Sequence, residues 1–219
     1  MTQPRSEDKN KNSRLISAVI PAFNEGGTVG DIVRRTLNYV DEVVVVDDGS
    51  TDGTSEVAVD AGAEVVKHRR NMGVLEAVGS GFERARGEIL ITLDADGQHD
   101  PADIPRLIEP ILNNQADLVL GRRPSLPHFS ERFITALTRL RVDCGDASTG
   151  FRAIRRRIAE EMKSHGSCLC GTFILEANRL GARIAEVPIT MEKRREGGRR
   201  IRTRHLKQIF HVLYELVRA

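Results

Sequence analysis

Two aspartates near the middle of the chain, Asp94 and Asp96, have the spacing of a site for a metal ion and a diphosphate. They follow the apolar, β-branched run Ile89–Leu93, which predicts a buried strand. Side chains two residues apart on a strand point to the same side, so both carboxylates would face one space while Ala95 turns into the protein. Like charges held this close favour a divalent cation, and Mg²⁺ is typically bound by one or two carboxylates together with substrate phosphates. The pair therefore predicts a pyrophosphate-containing ligand.

The aspartate pair is a weak indication by itself, because two aspartates one residue apart occur often by chance in a chain of 219 residues. A solvated acidic loop after a strand is the alternative interpretation. The rest of the chain has to decide between the two.

The composition is that of an ordinary soluble globular protein, with 40% hydrophobic residues, 29% charged residues and a formal net charge of +2. So small a net charge indicates no nucleic-acid partner. Three cysteines without paired spacing favour a reducing, cytoplasmic setting over a disulfide framework or a zinc site. No apolar run reaches 18 residues, no signal peptide is evident, and residues 1–14 are polar enough to predict a disordered tail.

Strands and helices alternate along the first half of the chain. The predicted strands are Leu15–Ile20, Glu42–Val46, Glu64–Lys67, Ile89–Leu93 and Asp117–Leu120; the helices begin near Thr28 or span Glu56–Ala61, Val74–Arg86 and Pro101–Asn113. This alternation predicts an α/β fold with a mostly parallel sheet and helices on both faces. Ligands of such sheets bind outside the carboxyl ends of the strands, so we expect the loops after Ile20, Val46 and Leu93 to form one site. Ser50 and Asp52 are interpreted as turn residues within it.

Four segments resemble, in order and spacing, the family 2 glycosyltransferases of the GT-A fold. They are VIPAFNEGGTV, VVVVDDGSTDGT, the segment Arg70–Gly73 and LDADGQHDP, and the resemblance extends over roughly Ile16–Thr190. It is closest in kind to the branch of dolichol-phosphate mannose synthases and polyprenyl-phosphate glycosyltransferases. This resemblance implies a Rossmann-like sheet and an enzyme that transfers a sugar from a nucleotide diphosphate-sugar to a lipid phosphate, with inversion at the anomeric carbon.

The resemblance also implies roles for individual residues. Around the nucleotide it places Pro21, Ala22, Asn24 and Glu25, with Asp47 or Asp48 on the base or ribose. Asp94 would lie by the ribose and metal, and Asp96 with Gln98 would bind the Mg²⁺ or Mn²⁺ that bridges the diphosphate. These roles agree with the chemistry, because a Lewis acid stabilises the charge that develops on a departing nucleoside diphosphate.

Arginines after the fifth strand are the candidates for the acceptor side. Arginine matches phosphate bidentately, and the resemblance makes Arg122 and Arg132 the acceptor-phosphate candidates; Arg132 lies in a helix predicted at Glu131–Leu140. Asp146 opens the element DASTGFR and is expected either to orient one of these arginines or to cap a turn. Because a phosphate acceptor is already ionised, no base is needed, and Glu176 is expected to be structural. The histidines at 99, 128 and 165 are expected on the surface or in loops.

The C-terminal part combines a basic segment with an amphipathic helix. After a last strand at Ala182–Ile189, the segment 193–200 resembles a loop proposed to close over the diphosphate, with Arg199 a candidate ligand of the nucleotide-sugar, although the usual Ser-Lys pair is absent. Apolar residues then recur at spacings of three and four from Leu206 to Val217, which indicates an amphipathic helix. Residues 15–204 would form the glycosyltransferase domain, and residues 205–219 a helix that either packs on it or lies at a membrane interface.

The sequence thus predicts a metal-dependent glycosyltransferase, with GDP-mannose as donor and dolichyl or polyprenyl phosphate as acceptor. We expect it to be cytoplasmic and peripheral on the inner membrane face, either directly or through a membrane-anchoring partner subunit. The alternatives are a UDP-sugar donor, a different acceptor, or a non-catalytic subunit that binds nucleotide-sugars. The basic tail lacks aromatic stacking residues, so we expect no nucleic-acid partner.

Overall fold

The structure, a computed structural model, describes residues 15–163, 168–192 and 204–218, and one mixed sheet runs through this part of the chain. Its strands are β1 Ile16–Ala22, β2 Glu42–Asp47, β3 Glu64–Lys67, β4 Ile89–Thr92, β5 Leu118–Arg122, β6 Arg152–Arg155 and β7 Ile184–Pro188. The helices are α1 Val29–Thr36, α2 Thr54–Asp60, α3 Val74–Arg84, α4 Ile104–Leu112, α5 Phe129–Thr138, α6 Arg156–Glu161, α7 Thr172–Arg179 and α8 Arg204–Arg218.

The strand order is β3-β2-β1-β4-β6-β5-β7, and β6 alone runs against its neighbours. The other strand pairs are parallel, so the carboxyl ends of β1, β2, β4 and β5 lie at one edge of the sheet. Because β6 is reversed, its amino end lies at that same edge. The loop before Arg152 therefore meets the loops that follow the parallel strands.

Helices cover both faces of the sheet. One apolar cluster contains side chains of α1, α2 and α4, and the opposite cluster contains side chains of α3, α5, α6, α7 and α8. The central strands are buried on both faces, and β2 is buried at each of its positions, as expected for a β-branched run inside a parallel sheet. The predicted α/β architecture is confirmed.

The sequence missed β6 and misplaced two helix boundaries. Strand β6 has only four residues, two of them arginines, so it lacks the apolar run that would indicate a buried strand. The helix predicted at 101–113 begins with a 3₁₀ turn at Pro101–Asp103, where Asp100 accepts a hydrogen bond from the amide of Ala102. Helix α5 begins two residues earlier than expected, because the chain turns into it directly after the extended residue His128.

The predicted tail at 1–14 and the basic segment at 193–200 lie outside the described residues. In the part of the chain that is described, no helix is long and apolar enough to cross a bilayer. Helix α8 packs against α5 and α7, with Val212 fully buried between them. One face of this helix therefore belongs to the domain core.

Candidate active site

The loops after β1, β2 and β4 are joined by hydrogen bonds at the carboxyl edge of the sheet. The amide of Asn24 donates to the hydroxyl of Ser50 over 2.8 Å, and the Asn24 side-chain oxygen accepts from the amide of Thr51 over 2.9 Å. The hydroxyl of Thr28 donates to the carbonyl of Ala95 over 2.7 Å. The predicted convergence of these three loops is therefore confirmed.

Several residues expected around a nucleotide shape the loop after β1. Pro21 and Ala22 are the last residues of β1 and pair with β2, Pro21 partly exposed and Ala22 buried. Asn24 has a positive φ of 52°, and the amide of Glu25 donates to Thr54 over 3.0 Å. The contact of these residues with a nucleotide stays a prediction. The loop that would make the contact is held in place by hydrogen bonds to the loop after β2.

Ser50 and Asp52 close turns, as expected. Asp52 accepts hydrogen bonds from the amides of Gly26 and Thr54 over 3.0 and 3.2 Å. Burial raises the pKa of Asp52, but these bonds and the one from the Thr54 hydroxyl outweigh it, so the pKa lies below its ordinary value. Asp52 thus stays ionised and ties the two loops together.

The two aspartates at the end of β2, Asp47 and Asp48, are buried and hydrogen-bonded within the protein. Asp47 is buried and accepts hydrogen bonds from the Ser50 amide and the Ser55 hydroxyl. Burial raises its pKa, but the bonds from Ser50 and Ser55 dominate and lower it. The contact of Asp47 with base or ribose therefore gains no support from the geometry, which assigns this carboxylate to the turn.

Asp48 holds the Arg70–Gly73 segment in place. Its carboxylate accepts from the amides of Met72 and Gly73, each over 2.8 Å, and lies 2.7 Å from Nδ1 of His68. It is buried and its oxygens are used inside the protein, which disfavours a direct ligand contact. This arrangement explains why the acidic loop and the Arg70–Gly73 segment occur together: the first binds the backbone of the second.

The loop after β4 keeps an alternating pattern although the strand ends at Thr92. Asp94, Asp96 and Gln98 are partly exposed, whereas Ala95, Gly97 and His99 are buried. Gly97 has a positive φ of 76°, and Asp96 accepts a hydrogen bond from the amide of Gln98 over 3.0 Å. The carboxylates therefore lie on the solvent side of the loop while Ala95 points inward, as the sequence predicted.

His99 lies in the loop after β4, one of the two expected locations, but it is not on the surface. Its ring is buried against Phe151, with ring centroids 5.3 Å apart, and Nδ1 accepts from the amide of Asp94 over 3.4 Å. The same nitrogen lies 3.8 Å from a carboxylate oxygen of Asp94. His99 thus supports the backbone of the aspartate loop from below.

The donor set suits a divalent cation that is shared with a substrate. Asp94 and Asp96 offer hard carboxylate oxygens, and the Asp94 side chain is 46% exposed. Among the described residues, no group of three or more His, Cys, Asp or Glu side chains is placed to bind a metal. Two carboxylates with further oxygens from a bound diphosphate match the usual coordination of Mg²⁺, so these residues fit the predicted metal.

The loop before β6 contacts the aspartate loop directly. A Cβ atom added to Gly150 would lie 2.7 Å from Oδ1 and 2.8 Å from Cγ of Asp94. The hydroxyl of Thr92 donates to the carbonyl of Gly150 over 2.8 Å, which fixes this approach. The element DASTGFR therefore borders the predicted metal site, and glycine is needed where its backbone passes the carboxylate.

Asp146 binds an arginine that the sequence analysis did not select. It is fully buried and accepts hydrogen bonds from Nε and Nη2 of Arg123 over 2.6 and 2.9 Å. Arg123 also lies 3.4 Å from the buried carboxylate of Glu131. Burial lowers the pKa of Arg123, but the two carboxylates outweigh it and raise that pKa. Asp146 also accepts from the amide of Ser148, so the orienting role and the turn cap are both present.

Arg122 and Arg132 are the exposed cations beside this buried cluster. Arg122 ends β5 and lies over Gly145, where a Cβ would come within 2.7 Å of its Cδ. Gly145 is held in turn by Glu186, whose carboxylate accepts from its amide over 2.8 Å. Arg132 is exposed on α5, next to the buried Glu131. The structure thus brings Arg122 to the acceptor-side loop and presents Arg132 on the adjoining helix; Arg199 lies outside the described residues.

A second buried arginine lies beneath the acceptor-side loop. Arg152 is 1% exposed and stacks on Phe173, with the guanidinium carbon 4.9 Å from the ring centroid. Its Nε and Nη1 atoms have no hydrogen-bond partner in the part of the chain that is described, and burial lowers its pKa. No sequence pattern indicated this burial, because only the sheet places the residue between β4 and β5.

Glu176 is structural, as expected. It is buried in α7 and accepts a hydrogen bond from the amide of Lys163 over 2.7 Å. The thiols of Cys144, Cys168 and Cys170 are buried.

Comparison with known proteins identifies the family. Residues 17–173 match the family described as Glycosyl transferase family 2. An uncharacterised protein of Methanocaldococcus jannaschii is 33% identical over 210 residues, which cover 86% of each chain. The undecaprenyl-phosphate 4-deoxy-4-formamido-L-arabinose transferases of Shewanella sediminis and Aeromonas hydrophila are each 31% identical. These alignments cover 86% and 95% of this chain but 62% and 68% of the relatives, whose sequences extend beyond the match.

Solved structures agree with this assignment. Glucosyl-3-phosphoglycerate synthase from Mycobacterium tuberculosis, in complex with Mn²⁺, UDP-glucose and phosphoglyceric acid, has a TM-score of 0.81 at 25% identity. The superposition covers 94% of this chain and 80% of that one. The GT-A fold implied by the sequence motifs is confirmed, and the chain belongs to glycosyl transferase family 2.

Proposed function

We propose that this protein transfers a sugar from a nucleotide diphosphate-sugar to a polyprenyl phosphate, with inversion at the anomeric carbon. The observation that carries the proposal is the contact between Gly150 and Asp94, which joins the predicted donor site to the arginine-bearing acceptor side. The undecaprenyl-phosphate sugar transferases among the relatives support the acceptor class. The donor proposed first is GDP-mannose, with UDP-sugars as the alternative that the complex of the M. tuberculosis synthase supports.

Asp94, Asp96 and Gln98 would hold the Mg²⁺ or Mn²⁺ ion. Bound there, the ion would supply Lewis acidity to the diphosphate leaving group. The chain itself contributes fixed geometry: Gly97 permits the turn, and Asp96 binds the amide of Gln98. The loop is supported from the start of α1 by the bond between the Thr28 hydroxyl and the Ala95 carbonyl. Metal dependence is accordingly part of this proposal.

In the proposed reaction a phosphate oxygen of the acceptor forms the new bond to the anomeric carbon. The bond from that carbon to the diphosphate oxygen breaks, and the nucleoside diphosphate leaves with the electron pair. The acceptor phosphate is ionised near neutral pH, so the step requires no general base. The burial of Glu176 within α7 agrees with this chemistry.

Arg122 and Arg132 would bind the acceptor phosphate, since both are exposed, Arg122 beside the Gly145–Phe151 loop and Arg132 on α5. Asp146 contributes indirectly. It neutralises and fixes Arg123, which otherwise would compete for the same anion. We therefore assign Arg122 and Arg132 to the phosphate and Asp146 to the positioning of the loop that carries it.

A polyprenyl phosphate has to be reached at a membrane, so we propose a peripheral location on the cytoplasmic face. A membrane-anchoring partner subunit is the alternative route to the same place. Both depend on the acceptor class and can be tested together with it.

The decisive experiment measures sugar transfer to undecaprenyl and dolichyl phosphate from a panel of labelled GDP- and UDP-sugars. It is run with Mg²⁺ or Mn²⁺, with chelator, and with Asp96→Ala as the control variant. Transfer from one donor that requires both the metal and Asp96 would support the proposal and identify the sugar.

Two other outcomes would redirect the proposal. Metal-dependent donor hydrolysis without transfer to lipid phosphate would indicate a different acceptor. The resemblance to a synthase solved with phosphoglyceric acid makes small phosphorylated molecules the first to test. Tight donor binding without turnover would indicate a non-catalytic nucleotide-sugar-binding subunit.

A further inference from the structure

Helix α5 carries an apolar stripe on the side that faces away from the core. Its inward residues are Glu131, Ile134, Thr135 and Thr138, all buried. Phe129, Phe133, Ala136 and Leu140 follow each other at spacings of four, three and four residues along the outward side, and all are exposed. Phe129 and Leu140 are 74% and 71% exposed. Such spacing places Phe129, Phe133 and Ala136 in one line, since each residue turns the helix by about 100°; Leu140 follows in the turn after α5.

Helix α8 repeats this arrangement. Gln208, Val212 and Glu215 are buried against the domain. The large apolar side chains Phe210, Leu213, Tyr214 and Val217 are exposed on the opposite side, and Val217 is 86% exposed. The sequence analysis left open whether this helix packs on its domain or lies at an interface. The structure shows that one face of α8 packs on the domain, while the opposite face presents exposed apolar side chains.

The two helices are neighbours, so their stripes lie on adjoining elements. Helices α5 and α8 pack against each other, and both approach Gly171 through Ile134, Thr138 and Val212. The guanidinium of Arg141, just after α5, donates to the carbonyl of Leu216 near the end of α8 over 3.4 Å. Single exposed apolar residues are normal on a soluble protein, but two adjacent helices that each present a continuous stripe are not.

Basic residues predominate among the described charged side chains of these two helices. Each helix contains a single acidic residue, Glu131 in α5 and Glu215 in α8, and both are turned inward and buried. Among the described residues of α5, the turn after it and α8, the exposed charged side chains are arginines: Arg132, Arg139, Arg141 and Arg218; the exposed Asp143 follows two residues beyond that turn. The guanidinium carbon of Arg218 lies 5.2 Å from the centre of the Tyr214 ring.

We propose that this α5–α8 apolar face docks onto the surface of an anionic lipid bilayer, with its apolar and aromatic side chains inserted at the headgroup boundary and its arginines on the lipid phosphates. Amphipathic helices bind bilayers through buried apolar area combined with attraction of basic residues to anionic lipids. A second copy of the chain is disfavoured as the occupant, because a symmetric interface would bring these arginines together while the acidic residues of both helices are buried.

The docking would serve the proposed function by bringing the enzyme to its lipid acceptor. Only this role of the docking rests on the proposed function. Arg132, a proposed ligand of the acceptor phosphate, lies on α5 between Phe129 and Phe133 in sequence. A bilayer against this face would hold Arg132 at headgroup level, where the phosphate of a polyprenyl phosphate is found.

The absence of tryptophan from the chain provides a direct probe. We would prepare the full chain with Phe210→Trp in the apolar face and, as the matched control, with Leu112→Trp. Leu112 is 44% exposed on α4, which packs on the opposite face of the sheet. Vesicles of phosphatidylcholine alone and of phosphatidylcholine with one quarter phosphatidylglycerol would be added. The expected result is a blue shift of emission at position 210 with anionic vesicles, a weaker shift at high salt, and no shift at position 112.

A second measurement uses vesicle sedimentation of Phe129→Ser combined with Val217→Ser, with Val59→Ser on α2 as the control. Val59 is 57% exposed, so both changes remove exposed apolar groups and leave the core intact. We expect vesicle affinity to fall by roughly tenfold or more for the double variant, since each apolar group removed from water contributes on this scale. The control should bind as the unsubstituted protein does.

The outcomes separate this proposal from the proposed function. Absence of an emission shift at position 210, an equal shift at position 112, or a concentration-dependent dimer abolished by Phe129→Ser would overturn the docking proposal. Transfer to a detergent-dispersed short-chain polyprenyl phosphate should be unchanged in the double serine variant. If vesicle binding persists but no lipid phosphate is glycosylated, the docking face stands and the acceptor assignment fails.

Discussion

Gly150→Ala is the sharpest perturbation of the proposed site, because it introduces one methyl group against Asp94. The new Cβ would lie 2.7 Å from Oδ1 and 2.8 Å from Cγ of that carboxylate, whereas ordinary contacts are 3.4–4 Å. Gly150 does not have a positive φ, so an alanine can adopt the same backbone conformation without strain. The Asp94 carboxylate must therefore move by about 1 Å.

The displacement should cost little stability and much activity. The Asp94 side chain is 46% exposed, so it can rotate toward solvent for about 1 kcal/mol or less, the cost of a strained rotamer. A misplacement of about 1 Å in a reacting constellation can reduce the rate by roughly 100-fold, and disturbed metal ligands lose affinity by about 10- to 100-fold. We expect kcat/KM to fall by about 100-fold and the Mn²⁺ concentration for half-maximal activity to rise.

The assay is sugar transfer across a Mn²⁺ titration, with urea denaturation to measure the free energy of unfolding. Gly79→Ala is the matched control, since a Cβ there meets no atom within 4 Å. Wild-type activity and metal dependence in Gly150→Ala would refute the placement of Asp94 in the site. Equal losses in both variants would show that the effect is not specific to that carboxylate.

Three further predictions follow from buried charges and thiols. Arg123→Met should destabilise the fold by about 3–5 kcal/mol, more than Asp146→Asn, because it leaves the carboxylates of Asp146 and Glu131 buried without a cation; urea denaturation should show the larger loss for Arg123→Met, and equal losses in the two variants would contradict it. Hydrogen bonds from Arg183 and Arg157 outweigh burial and hold the pKa of Asp117 far below its ordinary value. Its contribution is thus complete above the unfolded pKa of about 3.9 and lost as pH falls through the lower folded pKa, so the gap in stability between wild type and Asp117→Asn should narrow below about pH 4 and stay constant above it. Burial raises the pKa of Cys144 to about 12. Its thiol should therefore resist alkylation by iodoacetamide at pH 8 until the protein is unfolded, as measured by mass spectrometry; rapid alkylation of the folded protein would refute its burial.

Much of the sheet and the aspartate loop could be predicted from local sequence. The runs at β1, β2 and β4 are apolar and β-branched, and each ends in polar residues at the site edge. The alternation of exposure from Asp94 to Gln98 agrees with the predicted pattern, although the chain turns at residues 95–97 instead of staying extended past Thr92. These features depend on neighbours in sequence, which is why periodicity revealed them.

The acceptor side was less accessible to sequence reasoning. Asp146 was expected near Arg122 or Arg132, but it binds Arg123, which a reversed strand and α5 bring to it across 23 residues. The buried positions of Asp48, His99 and Arg152 likewise depend on packing between distant segments. These residues and their partners are far apart in sequence, beyond the short spacings that are characteristic of a helix or a strand. Hydrophobic periodicity therefore could not predict the contacts.

The sequence by itself determined the family, the acidic loop and the order of the elements, because motif spacing and hydrophobic periodicity are properties of the chain. Only the tertiary structure decided which carboxylates face solvent and which are consumed by internal hydrogen bonds. It also decided that α5 and α8 each have a buried face and a second face of exposed apolar residues, since the hydropathy of a residue does not show whether a neighbouring element covers it.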